Sequence, residues 1–225
     1  MNKQQIAQLN EYPAWVFEKL PTLGSYDMAN RLAFGLIFEL CEGGGPFDKT
    51  IFQGHELDDD KLKKECGDLT FFLSGVCHHL GIKFGDFWES TEAHGSWVNM
   101  WPSDLSEIEN RTLDYLQLMI CSASKILERA RMAGLNKVWK DTAPMVWSMM
   151  VGDLRDLVAN FKGFLNMWEL DIIEIIELNQ AKLNKRYPDG FTAEDSARRV
   201  DEKAWAALPA REYLEKYIKD GDNGF

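Results

Sequence analysis

The chain has 225 residues, of which 45% are hydrophobic, and this is enough to bury a sizeable core in one large domain or two small ones. Its formal net charge of −11 argues against general binding of nucleic acid or of a membrane surface. No run of about 18 apolar residues predicts a membrane span, and the N-terminus has no apolar signal region. The four cysteines form no CxxC pair, so we expect reduced thiols and a cytoplasmic protein.

Apolar residues recur with a helical period throughout the first half of the chain, and no stretch has the alternation of a strand. The predicted class is therefore all-α. Pro13 is a candidate break in the first helix, and the run from Gly43 to Pro46 predicts a firm stop for the second, with a loop over residues 46–57. Asp58 to Asp60 place negative charge at the start of the third helix, and Gly81 ends it. The predicted helices of this half cover about residues 4–20, 26–42, 58–80 and 84–93.

The second half of the chain follows a Trp-containing loop at residues 95–102. Asp104 and Glu107 have the spacing of a capping box, which predicts the start of the next helix, and Gly134 predicts its end. Pro144 is allowed in a first helical turn and predicts another start. The predicted helices of this half cover about residues 104–134, 144–167 and 170–186, with a last stretch beginning near Thr192.

An internal repeat is predicted at a shift of 85 residues, which lays Gly67-Asp68-Leu69 on the identical triplet Gly152-Asp153-Leu154. Met150 then takes the place of Glu65, so the second copy has lost its acids. We therefore predict one domain over residues 1–225, with a four-helix-bundle-type core of two pseudo-repeated hairpins and additional terminal helices. Its parts are a metal-binding hairpin at about residues 26–93, a decayed hairpin at about 104–186 and a C-terminal extension at 187–225.

Two pairs of acidic residues are spaced three apart, Glu39 with Glu42 and Glu65 with Asp68. Positions i and i+3 share one face of a helix, and both pairs fall on apolar stripes that are expected to face a core. Buried carboxylates are unfavourable unless they are paired or bind a metal. A set made only of oxygen ligands suits Mg²⁺, with Mn²⁺ as a substitute. The sequence therefore predicts a magnesium site, and a solvated acidic face is the alternative.

These acidic pairs, followed by the segment from Lys182 to Phe191 with its Arg-Tyr-Pro sequence, resemble the motifs of the MazG-like all-α nucleoside triphosphate pyrophosphohydrolases. That superfamily includes the dimeric dUTPases. Its signature is an ExxE pair, a spacer and an ExxD pair, and many members end the core with a Lys-rich Arg-Tyr-Pro segment. The resemblance covers roughly residues 28–200.

The resemblance implies Mg²⁺ dependence and hydrolysis of a nucleoside triphosphate or deoxynucleoside triphosphate to the monophosphate and pyrophosphate. It also implies a homodimer or a homotetramer. The implied metal ligands and catalytic residues are Glu39, Glu42, Glu65 and Asp68. The implied substrate-binding residues are Asn179, Lys182, Arg186 and Tyr187.

Other functions are open at this stage. One is a dimeric-dUTPase-like enzyme specific for dUTP, and another is a non-catalytic helical interaction protein with vestigial acids. A di-iron carboxylate bundle is disfavoured because its ExxH motifs are missing. The basic residues near Arg186 also suit the negative end of a helix dipole. Four tryptophans are candidates for stacking a base, although core packing is the favoured role of each: Trp97, Trp101, Trp139 and Trp147.

Overall fold

The computed structural model describes residues 1–94, 105–135, 144–188 and 190–192, and within these ranges it contains α-helices and no β-strand. The predicted all-α class is therefore confirmed. None of the described helices is both long and apolar enough to cross a bilayer. The helices are α1 (Lys3–Glu18), α2 (Ser25–Gln53), α3 (Asp59–His79), α4 (Phe84–Ser90), α5 (Glu107–Leu135), α6 (Pro144–Met167) and α7 (Ile172–Arg186).

Helix α1 begins with a capping box, in which the backbone N–H groups of Asn2 and Gln5 each donate to the other's side chain over 2.9 Å. Pro13 does not break the helix, which continues to Glu18. A proline removes one intrahelical hydrogen bond, and the burial of an apolar face offsets that loss. This face consists of Leu9, Tyr12, Pro13 and Val16.

The predicted stop of α2 at Gly43 to Pro46 is wrong. The helix continues through this run and through most of the predicted loop, and it ends at Gly54, whose left-handed φ of 70° closes it. The reason lies outside the local sequence. Phe47 is 1% exposed and packs edge-on against Phe164 of α6, with ring centroids 5.7 Å apart. Burying this aromatic side chain favours a continuous helix over local breaking signals.

Most of the other predicted boundaries agree with the structure. Helix α3 is capped by Asp58 and followed by Gly81, as predicted. Helix α5 begins with a capping box of Ser106 and Glu109, while Asp104 of the predicted pair Asp104 and Glu107 lies outside the described residues. Glu109 N donates to Ser106 Oγ over 3.3 Å, and Ser106 N donates to a Glu109 carboxylate oxygen over 2.7 Å. The two pairs have the same spacing, so sequence spacing alone does not separate them. The Trp-containing loop, the last predicted helix and most of the extension lie outside the described residues.

Helix α2 packs against α3 and α5, and α5 packs against α6. The α2–α3 and α5–α6 contacts are the ones that the two predicted hairpins require. The bundle-type core and the repeat relationship between the hairpins stay predictions. Helix α7 packs along α3, and α1 contacts α3, α4 and α7. As a result, α1, α2 and α7 all lie near the helix that carries the second acidic pair.

Helices α2 and α3 approach each other closely at two glycines. A Cβ atom added at Gly35 would lie 2.2 Å from the ring of Phe72, and one added at Gly75 would lie 2.6 Å from Leu32. Both distances are far below van der Waals contact. The missing side chains therefore allow the helix approach that brings the two acidic pairs towards each other.

Replacing Gly35 with alanine is expected to lower the free energy of unfolding by about 1–3 kcal/mol, because the added methyl group overpacks the α2–α3 contact. Gly44→Ala is the matched control, since a Cβ there meets nothing within 4 Å. In a helix interior that control should raise stability by about 0.5–1 kcal/mol. Urea unfolding measures both, and equal stabilisation by the two substitutions would contradict the close packing.

Candidate metal centre

Three of the predicted acids come together where α2 packs on α3. One carboxylate oxygen from each of Glu39, Glu42 and Glu65 lies within 4.8 Å of the other two. Glu65 is 6% exposed, Glu39 is half-buried and Glu42 is exposed. The cluster therefore extends from the core to solvent, which leaves a path for an ion from water.

The electrostatics of this cluster favour a bound cation. Burial raises the pKa of Glu39 to about 8, and the charges of Asp68, Glu42 and Glu65 add to that rise. Burial and the charge of Asp68 also raise the pKa of Glu65. A divalent cation neutralises such a cluster, and three carboxylates without nitrogen or sulfur ligands are the donor set that Mg²⁺ and Mn²⁺ prefer. The residues present therefore fit magnesium.

Asp68, the fourth predicted acid, stands apart from this compact group of three. Its Oδ1 accepts a hydrogen bond from Asn179 Nδ2 over 2.9 Å and forms an ion pair with Lys182 Nζ. Both partners lie on α7. The structure thus binds one oxygen of Asp68 to α7, while the charge of Asp68 still acts on Glu39 and Glu65.

The contact between α3 and α7 is close at this point. A Cβ added at Gly67 would lie 3.1 Å from Asn179. Asn179 is 3% exposed, and its Oδ1 accepts a hydrogen bond from Tyr12 Oη over 2.9 Å. Tyr12 was not among the residues predicted from the sequence. A signal was present, because Tyr12 falls on the buried face of α1 and a buried phenol usually needs a hydrogen-bond partner.

A cleft with a cavity of about 170 Å³ opens beside the acids. Two of the predicted substrate-binding residues, Arg186 and Tyr187, line it. The other two, Asn179 and Lys182, bind Asp68, and their contact with a substrate stays a prediction. Three further basic side chains line the cleft and were not singled out from the sequence: Lys19, Arg31 and Lys64.

The remaining lining of the cleft is largely apolar and aromatic. Phe71 and Phe72 of α3 both line this space, and neither was predicted to do so from the sequence. Of the four tryptophans considered for base stacking, Trp147 packs against the core, and the other three lie outside the described residues. The apolar and aromatic residues of the cleft are Leu20, Pro21, Phe71, Phe72, Leu183, Tyr187 and Phe191.

Among the described residues of the second hairpin, no comparable set of acids comes together. Met150, which stands where the repeat would place a second Glu65, is buried. Asp153, the counterpart of Asp68, accepts a hydrogen bond from Arg129 Nε over 2.5 Å in an ion pair. Within the described part of the chain, Glu39, Glu42 and Glu65 form the one group of three or more such side chains close enough to share a metal. This supports the predicted loss of acids from the second copy.

Comparisons of the chain with models of protein families, with curated proteins and with solved structures gave no match. The resemblance to the pyrophosphohydrolases therefore depends on the motif residues of the sequence.

Metal affinity should rise with pH up to about pH 8, because a cation must displace the proton of Glu39, whose pKa is raised to about 8. Below that pH we expect the dissociation constant for Mn²⁺ to fall roughly tenfold per pH unit. Titration calorimetry in buffers of different ionisation enthalpy measures both affinity and proton release. In Glu39→Gln the proton release should largely disappear. A dissociation constant that is flat between pH 6 and 8 in the wild-type protein would contradict the assignment.

Proposed function

We propose that the protein is a Mg²⁺-dependent nucleotide pyrophosphohydrolase, which hydrolyses a nucleoside triphosphate or deoxynucleoside triphosphate to the monophosphate and pyrophosphate. The observation that carries the proposal is the cluster of Glu39, Glu42 and Glu65 at a cleft that Arg186 also lines. Carboxylates that hold a cation and a nearby arginine are the two kinds of group that a triphosphate requires. The resemblance of the motifs supports the same reaction.

Glu39, Glu42 and Glu65 would hold the metal, and Asp68, whose Oδ1 is bound by α7, would add its charge to the site. When bound, Mg²⁺ supplies electrostatic stabilisation of the phosphate charge and lowers the pKa of a water molecule. Glu42 is the most exposed of the three, and we assign to its other carboxylate oxygen, the one that would not bind the metal, the proton of a water that attacks the α-phosphorus. The bond between the α-phosphorus and the bridging oxygen then breaks, and pyrophosphate leaves.

The basic side chains of the cleft would bind the phosphates. Arg186 can bind two oxygens of one phosphate through its planar guanidinium group. Lys64 is exposed on the helix of Glu65 and adds a second charge at the cleft. The aromatic lining offers a surface for a nucleobase, because every base has an apolar face on which an aromatic ring stacks.

We also propose that the protein forms a homodimer or a homotetramer. Phe34 and Phe38 of α2 are 48% and 60% exposed, and their rings stack with centroids 6.3 Å apart. Exposed aromatic pairs of this kind are frequent at protein interfaces. A cytoplasmic location is likewise proposed from the reduced thiols and from the nature of the substrate.

A panel of ribonucleoside and deoxyribonucleoside triphosphates, including dUTP, tests the activity. With Mg²⁺ we expect at least one member to be converted to its monophosphate and pyrophosphate, and no activity with a chelator. Turnover of dUTP alone would identify the dUTPase-like alternative. Orthophosphate as the first product would contradict attack at the α-phosphorus. A purified, folded protein that turns over no member would support the non-catalytic alternative.

Glu65→Gln supplies the control for that panel. The substitution preserves the shape of the side chain but removes the charge, so we expect a folded protein with no measurable turnover. Glu92→Gln is the matched variant, since Glu92 is exposed and does not line the cleft. It should retain full activity. Wild-type activity in Glu65→Gln would show that the carboxylate cluster is not the active site.

Replacing Arg186 with alanine should lower kcat/KM by at least about tenfold, because a charge-assisted hydrogen bond is worth about 1.5–3 kcal/mol. Arg186→Lys should restore part of the activity, since it returns the charge without the bidentate geometry. Lys185→Ala is the control, because Lys185 is exposed and does not line the cleft. The free energy of unfolding should change by only about 0.5–1 kcal/mol in Arg186→Ala. An unfolded Arg186→Ala protein combined with full activity in Arg186→Lys would assign the residue a structural role.

A further inference from the structure

Tyr12 lies on α1, outside every element that carries the predicted site, yet its hydroxyl reaches the metal centre through one intermediate residue. Tyr12 is 1% exposed, and its Oη donates to Asn179 Oδ1 over 2.9 Å. Asn179 Nδ2 in turn donates to Asp68 Oδ1 over 2.9 Å. A continuous chain of hydrogen bonds therefore runs from α1 through α7 to α3.

The donors and acceptors on Tyr12, Asn179 and Asp68 determine which atom donates in each of these two hydrogen bonds. A carboxylate only accepts hydrogen bonds, so the amide of Asn179 must turn its NH₂ group towards Asp68. Its oxygen then faces α1, where it needs a donor because it is buried. The phenol of Tyr12 is that donor, and burial raises its pKa so that it keeps its proton. The hydroxyl of Tyr12 therefore holds the amide in that orientation from the side of α1.

The position of the phenol is itself well defined by packing. The ring of Tyr12 stacks on Trp15 with centroids 5.5 Å apart, and Trp15 meets Phe71 of α3 edge-on at 6.5 Å. On the other side, Gly67 leaves just enough room for Asn179. Tyr12, Asn179 and Asp68 are thus held by three different helices at one point.

We propose that Tyr12 is a positioning residue for the metal centre, which acts through Asn179 to orient the carboxylate of Asp68 beside the acids of the cluster. This inference rests on the proposed function, because it concerns the same metal centre. Asp68 Oδ1 has two partners on α7, Asn179 and Lys182. Lys182 supplies charge, and the amide supplies direction. Loss of the phenol hydroxyl removes the donor to the buried Asn179 oxygen, so the amide loses its hydrogen bond to α1 and orients the carboxylate less well for a cation.

The test is the affinity for Mn²⁺, measured from the electron paramagnetic resonance signal of the free ion, in Tyr12→Phe. This variant retains the ring and its stacking on Trp15. Replacing a residue that hydrogen-bonds to a metal ligand usually lowers metal affinity by about 10- to 100-fold. Tyr12 is one hydrogen bond further from Asp68 than Asn179 is, so we expect Tyr12→Phe to weaken Mn²⁺ binding by about 3- to 10-fold.

Tyr115→Phe is the matched control. Tyr115 is also buried, and its Oη donates to a backbone oxygen, that of His94, over 2.9 Å, but it lies on α5 and outside the cleft. Removal of either hydroxyl should lower the melting temperature, whereas only Tyr12→Phe should weaken Mn²⁺ binding. Unchanged Mn²⁺ affinity in Tyr12→Phe, or an equal loss in both variants, would overturn the positioning role.

A double-mutant cycle tests whether Tyr12 acts through Asn179. Asn179→Ala should weaken Mn²⁺ binding by itself, and adding Tyr12→Phe should then change the affinity no further. Two independent losses that multiply in the double variant would contradict the proposed chain of contacts.

The outcomes separate this inference from the proposed function. If Tyr12→Phe weakens Mn²⁺ binding while the wild-type protein cleaves no nucleotide, the positioning role stands and the pyrophosphohydrolase activity fails. If the wild-type protein cleaves nucleotides and Tyr12→Phe binds Mn²⁺ as tightly as wild type, the activity stands and the positioning role fails. A wild-type protein that binds no Mn²⁺ would overturn both.

Discussion

The burial of carboxylates at one point, together with the repulsion among them, is the constraint on which the rest of the site depends. The close approach of α2 and α3 at Gly35 brings Glu39, Glu42 and Glu65 together, and the pKa of Glu39 rises from its ordinary value of 4.5 to about 8. Because folding raises this pKa, protonation of Glu39 favours the folded state, and this stabilisation is fully present below pH 4.5. The free energy of unfolding then falls as the pH rises from 4.5 to about 8 and the folded protein must ionise the buried carboxyl. A bound cation removes this penalty, so the geometry that destabilises the metal-free protein is the same geometry that favours metal binding.

The two hairpins carry the same Gly-Asp-Leu triplet in different surroundings. In the first, Asp68 is oriented by an amide and a lysine from α7, next to three further acids. In the second, Asp153 is paired with Arg129 of the neighbouring helix, and buried Met150 replaces the glutamate. An arginine partner satisfies a buried aspartate without any ion. One hairpin thus retains an excess of negative charge at a cleft, whereas the other has neutralised it within the fold.

The features that could be predicted from the sequence are the local ones. Helical periodicity predicted the all-α class, and the i, i+3 spacing placed Glu39 with Glu42 on one helix face and Glu65 with Asp68 on another, because both follow from the geometry of a single helix. That Glu65 joins the first pair, while Asp68 binds α7, depends on helix packing. The stop at Pro46 was wrongly predicted since burial of Phe47 against another helix outweighs local breaking signals. The contacts of Tyr12 and Asn179 depend on how three helices pack, and no local pattern encodes that arrangement.

The most direct test of the account is a crystal structure of the protein grown with Mn²⁺, with anomalous diffraction measured near the manganese absorption edge. The account predicts anomalous peaks beside Glu39, Glu42 and Glu65, and none in the second hairpin. The carboxylate of Asp68 should face the peaks while its Oδ1 keeps the contact with Asn179. A peak beside Asp153, or a structure at millimolar Mn²⁺ without any peak among the three glutamates, would contradict it.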